Sequence, residues 1–271
     1  MYLAHCLSPA PARWLTLALL CASALSAAPP ARANTAVIHA ADADQHLKRG
    51  DILFKYLGAK SKITKSEVVI QTFQKSVRTL SGAFHKDLKK GDPKAFHLVV
   101  YLGNGRTAEA HGGDLKTARV GTRSLDEHDG YLFHVFRAKD QALANEAAAV
   151  AETWANKRMK YKVPTAVVLR SNYGPEAREE ALKYGKAAHT AGGPPSVDAM
   201  FCDEFGIAVY QAAAAARALA KNPALKPKDL SMPSGLDLQA SHASVMAFYA
   251  QLEVGKAHKA WTELDPVVVQ K

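Results

Sequence analysis

The sequence is poor in cysteine. Three occur in 271 residues, and Cys6 and Cys21 both fall within the first 33 positions, MYLAHCLSPAPARWLTLALLCASALSAAPPARA. That stretch has Arg13, an apolar run from Trp14 to about Ala28 and the small-x-small triplet Ala31-Arg32-Ala33, which are the parts of a secretory signal cut after Ala33. The apolar run is shorter than the roughly 20 residues a membrane-crossing helix needs, and no second candidate span follows it. Leu20 stands before Cys21, where a lipid-anchoring cut requires a small residue. The expectation is therefore an exported chain, in the periplasm, the cell envelope or the medium. Removing 33 of the 271 residues leaves 238, enough for one domain from 34 to 271. That mature chain keeps Cys202 alone, which excludes an internal disulfide and leaves either a buried, inert thiol or a reactive one.

Other absences narrow the field. Acids are outnumbered, 25 against 35 Lys and Arg, for a net charge of +10; loss of Arg13 and Arg32 with the signal lowers it to +8. Such a balance suits anionic surfaces such as cell-wall polymer, phospholipid head groups or acidic substrates. The basic residues are spread along an exported chain, so nucleic acid is not an expected partner. No internal repeat is visible. His85, His97, His111, His128 and His134 crowd one region, but no HExxH and no paired-cysteine spacing accompanies them, so neither a metal nor a cofactor is expected.

What remains reads as alternating short strands and separate helices. Gly50-Asp51-Ile52-Leu53-Phe54 is a turn feeding an apolar strand. Thr64-Lys65-Ser66-Glu67 has capping-box spacing, and Val69, Phe73, Val77, Leu80, Phe84 and Leu88 predict an amphipathic helix over roughly 65–89. Its polar face carries Lys65, Lys75, Arg78, Lys86 and Lys89, a set suited to water or to an anionic membrane or wall polymer. Phe96 to Leu102, the turn Gly103-Asn104-Gly105 and Arg106 to His111 form a hairpin. Further strands are expected over 131–137, 163–169 and 261–269, and helices over 140–157, from about 198 or 201 to 220, and over 241–252. Residues 185–196, GKAAHTAGGPPS, read as a mobile loop able to act as a lid beside Cys202. This pattern gives an α+β class with an antiparallel sheet.

A thiol becomes a good nucleophile when a helix N-terminus or a neighbouring histidine lowers its pKa. Cys202 opens a predicted helix, and His97 opens a strand whose hairpin partner carries polar groups. A strict two-residue loop at Asn104-Gly105 would show His97 only Ala108, Ala110 and Gly112. A three-residue loop sets His97 opposite His111 with Glu109 on the diagonal, and a wider turn centred on Gly103 sets Glu109 straight across. Glu109 ranks above His111 as orienting group, because a carboxylate fixes the tautomer and stabilises the imidazolium.

At this point the residues resemble a family. Gly50-Asp51-Ile52-Leu53-Phe54, His97-Leu98-Val99-Val100-Tyr101-Leu102-Gly103-Asn104-Gly105, Glu109-Ala110 and Cys202-Asp203-Glu204-Phe205 look like the circularly permuted branch of NlpC-type papain-like hydrolases. That branch holds YiiX/YebB-like bacterial proteins and relatives of lecithin retinol acyltransferase, and the likeness covers most of residues 48–250. It implies a papain-like fold in which an antiparallel sheet packs on the cysteine helix, with the histidine sheet preceding that helix. It also implies Cys202 as nucleophile, His97 as base and, twelve places on, Glu109 as orienter. The implied activity is amide cleavage in cell-wall peptide or another acylated amide. Lipid acyl transfer or thioester cleavage on the same fold is the alternative, and a ligand-binding scaffold without turnover is a third reading. The chain departs from the pattern at Asp203, where the family has Ser, at Tyr161-Lys162, where it often has Tyr-Asp, and over 60–90 and 170–196, which look like insertions.

Overall fold

The computed structural model describes residues 35–56, 95–111, 119–157, 159–161, 173–191 and 199–271. The expected signal peptide, the 65–89 helix, the 163–169 strand and positions 192–196 of the expected loop lie outside them. Among the described residues nine strands form one sheet: β1 (Ala36–Ile38), β2 (Ile52–Tyr56), β3 (His97–Gly103), β4 (Arg106–His111), β5 (Arg119–Ser124), β6 (Leu132–Ala138), β7 (Lys160–Tyr161), β8 (Ala199–Met200) and β9 (Trp261–Val269). Their order across the sheet is β1-β9-β6-β2-β3-β4-β5-β7-β8. The described residues also form four helices: α1 (Gln141–Asn156), α2 (Pro175–Ala191), α3 (Cys202–Lys221) and α4 (Val245–Ala257). The class is mixed α+β. The expected antiparallel sheet needs one correction, because β1 pairs β9 and β7 pairs β8 in parallel. Both parallel contacts are made by two- or three-residue strands too short to leave a period in the sequence.

Alternation along β2 and β3 gives the sheet two different faces. Ile52, Phe54, Leu98, Val100 and Leu102 join the helices in the larger core, with Phe205, Val209 and Trp154. Leu53, Val99 and Tyr101 join Ile38, Leu47, Leu125 and Phe133 in a smaller core on the other face. Helix α3 lies hard against β3: a Cβ on Gly206 would fall 1.7 Å from Leu98 Cδ2, so any larger residue there would push the buried Leu98 side chain aside. Helix α1 starts at an Asp140 cap whose side chain accepts from the Leu143 N–H at 2.8 Å.

The expected loop over 185–196 is corrected over its first part, because residues 185–191 continue α2. Gly185 is there for closeness, since a Cβ would come within 2.4 Å of Ala215 Cβ on α3. Ala181, Leu182 and Tyr184 are buried beside it. Burying that apolar side against α3 outweighs the poor helix propensity of glycine.

The hairpin tip is pinned from outside. Gly103, Asn104 and Gly105 all have positive φ. Asp44 accepts from Tyr101 Oη at 2.7 Å and from the Asn104 N–H at 3.1 Å, while the Gly105 N–H donates to Tyr101 Oη at 3.0 Å. At the base of β2, Asp51 takes two hydrogen bonds from Arg137, at 2.9 and 2.6 Å.

Candidate active site

The β3–β4 ladder runs Val100↔Ala108, Tyr101↔Thr107 and Gly103↔Arg106, with an irregularity between Tyr101 and Gly103. Continued towards the strand start, this register sets His97 opposite His111 and Glu109 on the diagonal, the three-residue-loop alternative. Among the described residues, however, the ladder begins at Val100↔Ala108, so residues 97–99 and 109–111 flank an opening between the strands. Across its mouth His97 Nε2 hydrogen-bonds Glu109 Oε2. The carboxylate thereby fixes the proton on Nε2 and leaves Nδ1 as the basic nitrogen.

Glu109 is 1% exposed, and its other oxygen faces Arg123 Nε at 3.2 Å and His128 Nε2 at 3.9 Å. Burial alone would raise this carboxyl. His128, His97, the hydrogen bond from His97 and the Lys55 ammonium outweigh burial and hold it well below the usual carboxylate range. Lys55, paired with His97 across β2 and β3, rests 3.5 Å from the Tyr131 ring centroid. His128 was not legible as a site residue. It is buried against the edge of Phe133, and neither ring nitrogen has a hydrogen-bond partner among the described residues. Burial, with Lys55, His97 and Arg123 adding to it, pushes its pKa to about 3 against the pull of Glu109. The only trace of it in the sequence is a histidine between a polar 3-10 turn and the apolar strand β6.

Cys202 is the first residue of α3, as the sequence suggested, but its thiol is 4% exposed and lies in the larger core. It donates to Asp203 Oδ1 at 3.9 Å. The expected lowering of its pKa is therefore reversed. Burial first, then the Asp203 and Glu109 carboxylates, push the thiol well up, while the backbone N–H groups of Asp203 and Leu98 pull it the other way. Asp203 does not point away; it is itself 6% exposed, and burial with the adjacent Glu204 raises its carboxyl too. The Leu98 contact sets the sulfur beside the residue that follows His97, at the β3–β4 opening. Tyr161 lies on the thiol's side as well: β7 and β8 place it abreast of Met200, and burial together with Cys202 and Asp203 raises its hydroxyl.

Of the predicted residues, the structure joins His97 to Glu109 directly. Among the described residues no hydrogen bond or ion pair joins Cys202 to either of them; it packs with Leu98 in the larger core, and its own hydrogen-bond partner is Asp203. His111 sits half-buried beside the pair, lowered by burial and by Arg123, His97 and Arg119. Among the described residues no group of histidines, cysteines and acids is arranged to hold a metal ion, and no helix is long and apolar enough to cross a membrane. Comparison of the chain with protein-family models, with curated proteins and with solved structures finds no match.

Proposed function

We propose that this chain is an exported cysteine hydrolase with a circularly permuted papain-like core, cleaving an amide in cell-wall peptide or another acylated compound. The single observation that supports it most is the buried His97–Glu109 pair at a gap between strands, where the sulfur at the start of α3 also lies. In the reaction His97 Nδ1 takes the Cys202 proton as sulfur attacks the carbonyl carbon, and Glu109 stabilises the imidazolium that forms. The tetrahedral oxygen is met by the Cys202 N–H at the open end of α3. His97 then returns the proton to the leaving amine, and water attacks the acyl-enzyme by the reverse path. Because burial and Asp203 keep the resting thiol protonated, proton transfer accompanies attack rather than preceding it.

The same burial favours a second reading, a scaffold that holds its ligand without turnover. Acid-quenched mass spectrometry of the mature protein after incubation with activated N-acyl amides and acyl thioesters separates the two. The hydrolase reading expects an acyl group on Cys202, absent in Cys202→Ala and formed about a hundredfold more slowly in His97→Ala. A scaffold gives no adduct with either substrate class. Preference for thioesters of long acyl chains over amides would move the assignment to lipid acyl chemistry on the same residues.

A further inference from the structure

We propose that the rim of the sheet beside this site binds an anionic group, so that the acyl substrate carries a carboxylate or a phosphate. The inference rests on the Cys202–His97 reading for the word substrate, and on the geometry of three strands for the anion site itself. On β4, β5 and β7 the hydrogen-bonded register sets His111 abreast of Arg119, and Arg119 abreast of Lys160. On the other side of the β3–β4 opening Lys55 stands abreast of His97. His111 and Glu109 are two apart on one strand and so share a face. The row therefore lies on the face that carries the His97–Glu109 pair, and alternation turns Tyr161 to the opposite side, towards the thiol.

The charge on these strands is one-sided. Among the residues of β4, β5 and β7 the bases are Arg106, His111, Arg119, Arg123 and Lys160, and the acid is Glu109. Arg106 pairs with Glu152, and Arg123 with Glu109 and Glu127. Arg119 and Lys160 are exposed, and among the described residues neither has a carboxylate partner. Burial first, and then Arg123, His97 and Arg119 against the pull of Glu109, disfavour protonation of the half-buried His111. Three donors in a line with unbalanced positive charge form a seat for an anion. Lys160 is abreast of Ala199, three residues before Cys202, which puts the row near the start of the cysteine helix but on the other face of the sheet. The thiol lies on the helix side of the sheet with core residues such as Phe205 and Leu98, so in this proposal the β3–β4 opening beside Leu98 is where it would meet a substrate held on the face bearing the row.

Two alkylating reagents of similar size test the seat. Iodoacetate carries the anion and iodoacetamide does not, and their rate ratio on Cys202 is compared with that on free cysteine in the same buffer. The ratio should be about tenfold higher on the protein. It should fall to the free-thiol value in the double variant Arg119→Gln/Lys160→Gln and in about 0.5 M NaCl, with the iodoacetamide rate unchanged. An equal ratio in the native chain and the double variant overturns the proposal. A second measurement does not need the thiol: NMR titration of the His111 ring in Cys202→Ala with inorganic phosphate or acetate. Either anion should raise the His111 pKa in that chain and leave it unmoved when Arg119 and Lys160 are also replaced, and the one acting at lower concentration names the preferred group. No shift with either anion overturns the seat. If Cys202 reacts with neither reagent while His111 still responds, the hydrolase reading falls and the anion site stands.

Discussion

Two histidine–carboxylate pairs lie on opposite faces of this sheet, and they differ in how far each is buried. His97 and Glu109 are in direct hydrogen bond, with Glu109 buried and flanked by Lys55, Arg123 and His128. His134 and Glu263 stand 3.5 Å apart with side chains 19% and 27% exposed. Glu263 also accepts from Lys256 at 2.7 Å and from Tyr249 Oη at 3.2 Å. Its carboxyl is lowered to about 2, first by His134, with Lys256 adding to it. In the wetter pair the lysine already satisfies the acid, and water screens what remains. In the drier pair the carboxylate's charge stays coupled to the imidazole, and a thiol lies within its field. The difference lies in the setting: Glu109 is buried among His97, His128, Arg123 and Lys55, whereas Glu263 shares its charge with Lys256 and with water.

The sharpest way to break this comparison is to remove each histidine in turn. His97→Ala should slow acyl-enzyme formation by about 10²- to 10⁴-fold, and His134→Ala should leave it within about twofold; equal losses would erase the distinction. The acids come next. Glu109→Gln takes the negative charge from a buried site among His97, His128 and Lys55 and should cost about 3 kcal/mol in urea unfolding, whereas Glu263→Gln, at a partly solvated site, should cost less than about 1 kcal/mol. A smaller effect concerns the thiol. Asp203→Ser removes the acid that the sulfur donates to, and alkylation of Cys202 at pH 7 should quicken about tenfold, one pKa unit; a rate no faster than native would show that Asp203 does not restrain the sulfur.

The smallest effects lie in pH dependence. His128 titrates near 3 when folded and near 6.5 when unfolded. The unfolded chain therefore binds more protons in that window, and stability must fall as pH drops from 6.5 towards 3. His128→Leu should flatten that part of the curve. Glu263 is lowered from 4.5 to about 2, so its contribution is full above 4.5 and disappears only as pH falls towards 2. Glu263→Gln should lower stability by a constant amount above pH 4.5, and the gap from the native chain should close as pH falls towards 2.

The parts of this account that were readable from the sequence share a cause: they are local. Gly103-Asn104-Gly105 between two β-rich runs fixes a hairpin, and a hairpin fixes which residues near its open end can meet, so His97 and Glu109 could be named together. Cys202 at the head of a helix followed from the apolar spacing of Phe205 and Val209. The run containing Gly185 was misread because a glycine that permits helix packing looks the same in sequence as one that ends a helix. Strands β7 and β8 were missed because two residues make no period. The state of the thiol depends on how deeply α3 is buried and on where the Asp203 carboxylate turns, and both are set by packing between distant segments. His128 was hidden for the same reason, since its neighbour Glu109 is nineteen positions away in the chain.

The central claim is that His97 serves the sulfur of Cys202. Its most direct test is the rate of Cys202 alkylation by iodoacetamide from pH 5 to 10, in the native mature chain and in His97→Ala. The account predicts that reaction near neutral pH depends on the imidazole, so that the His97→Ala profile falls away below the ionisation of the lone thiol and joins the native one only at high pH. Two superimposable profiles would contradict it.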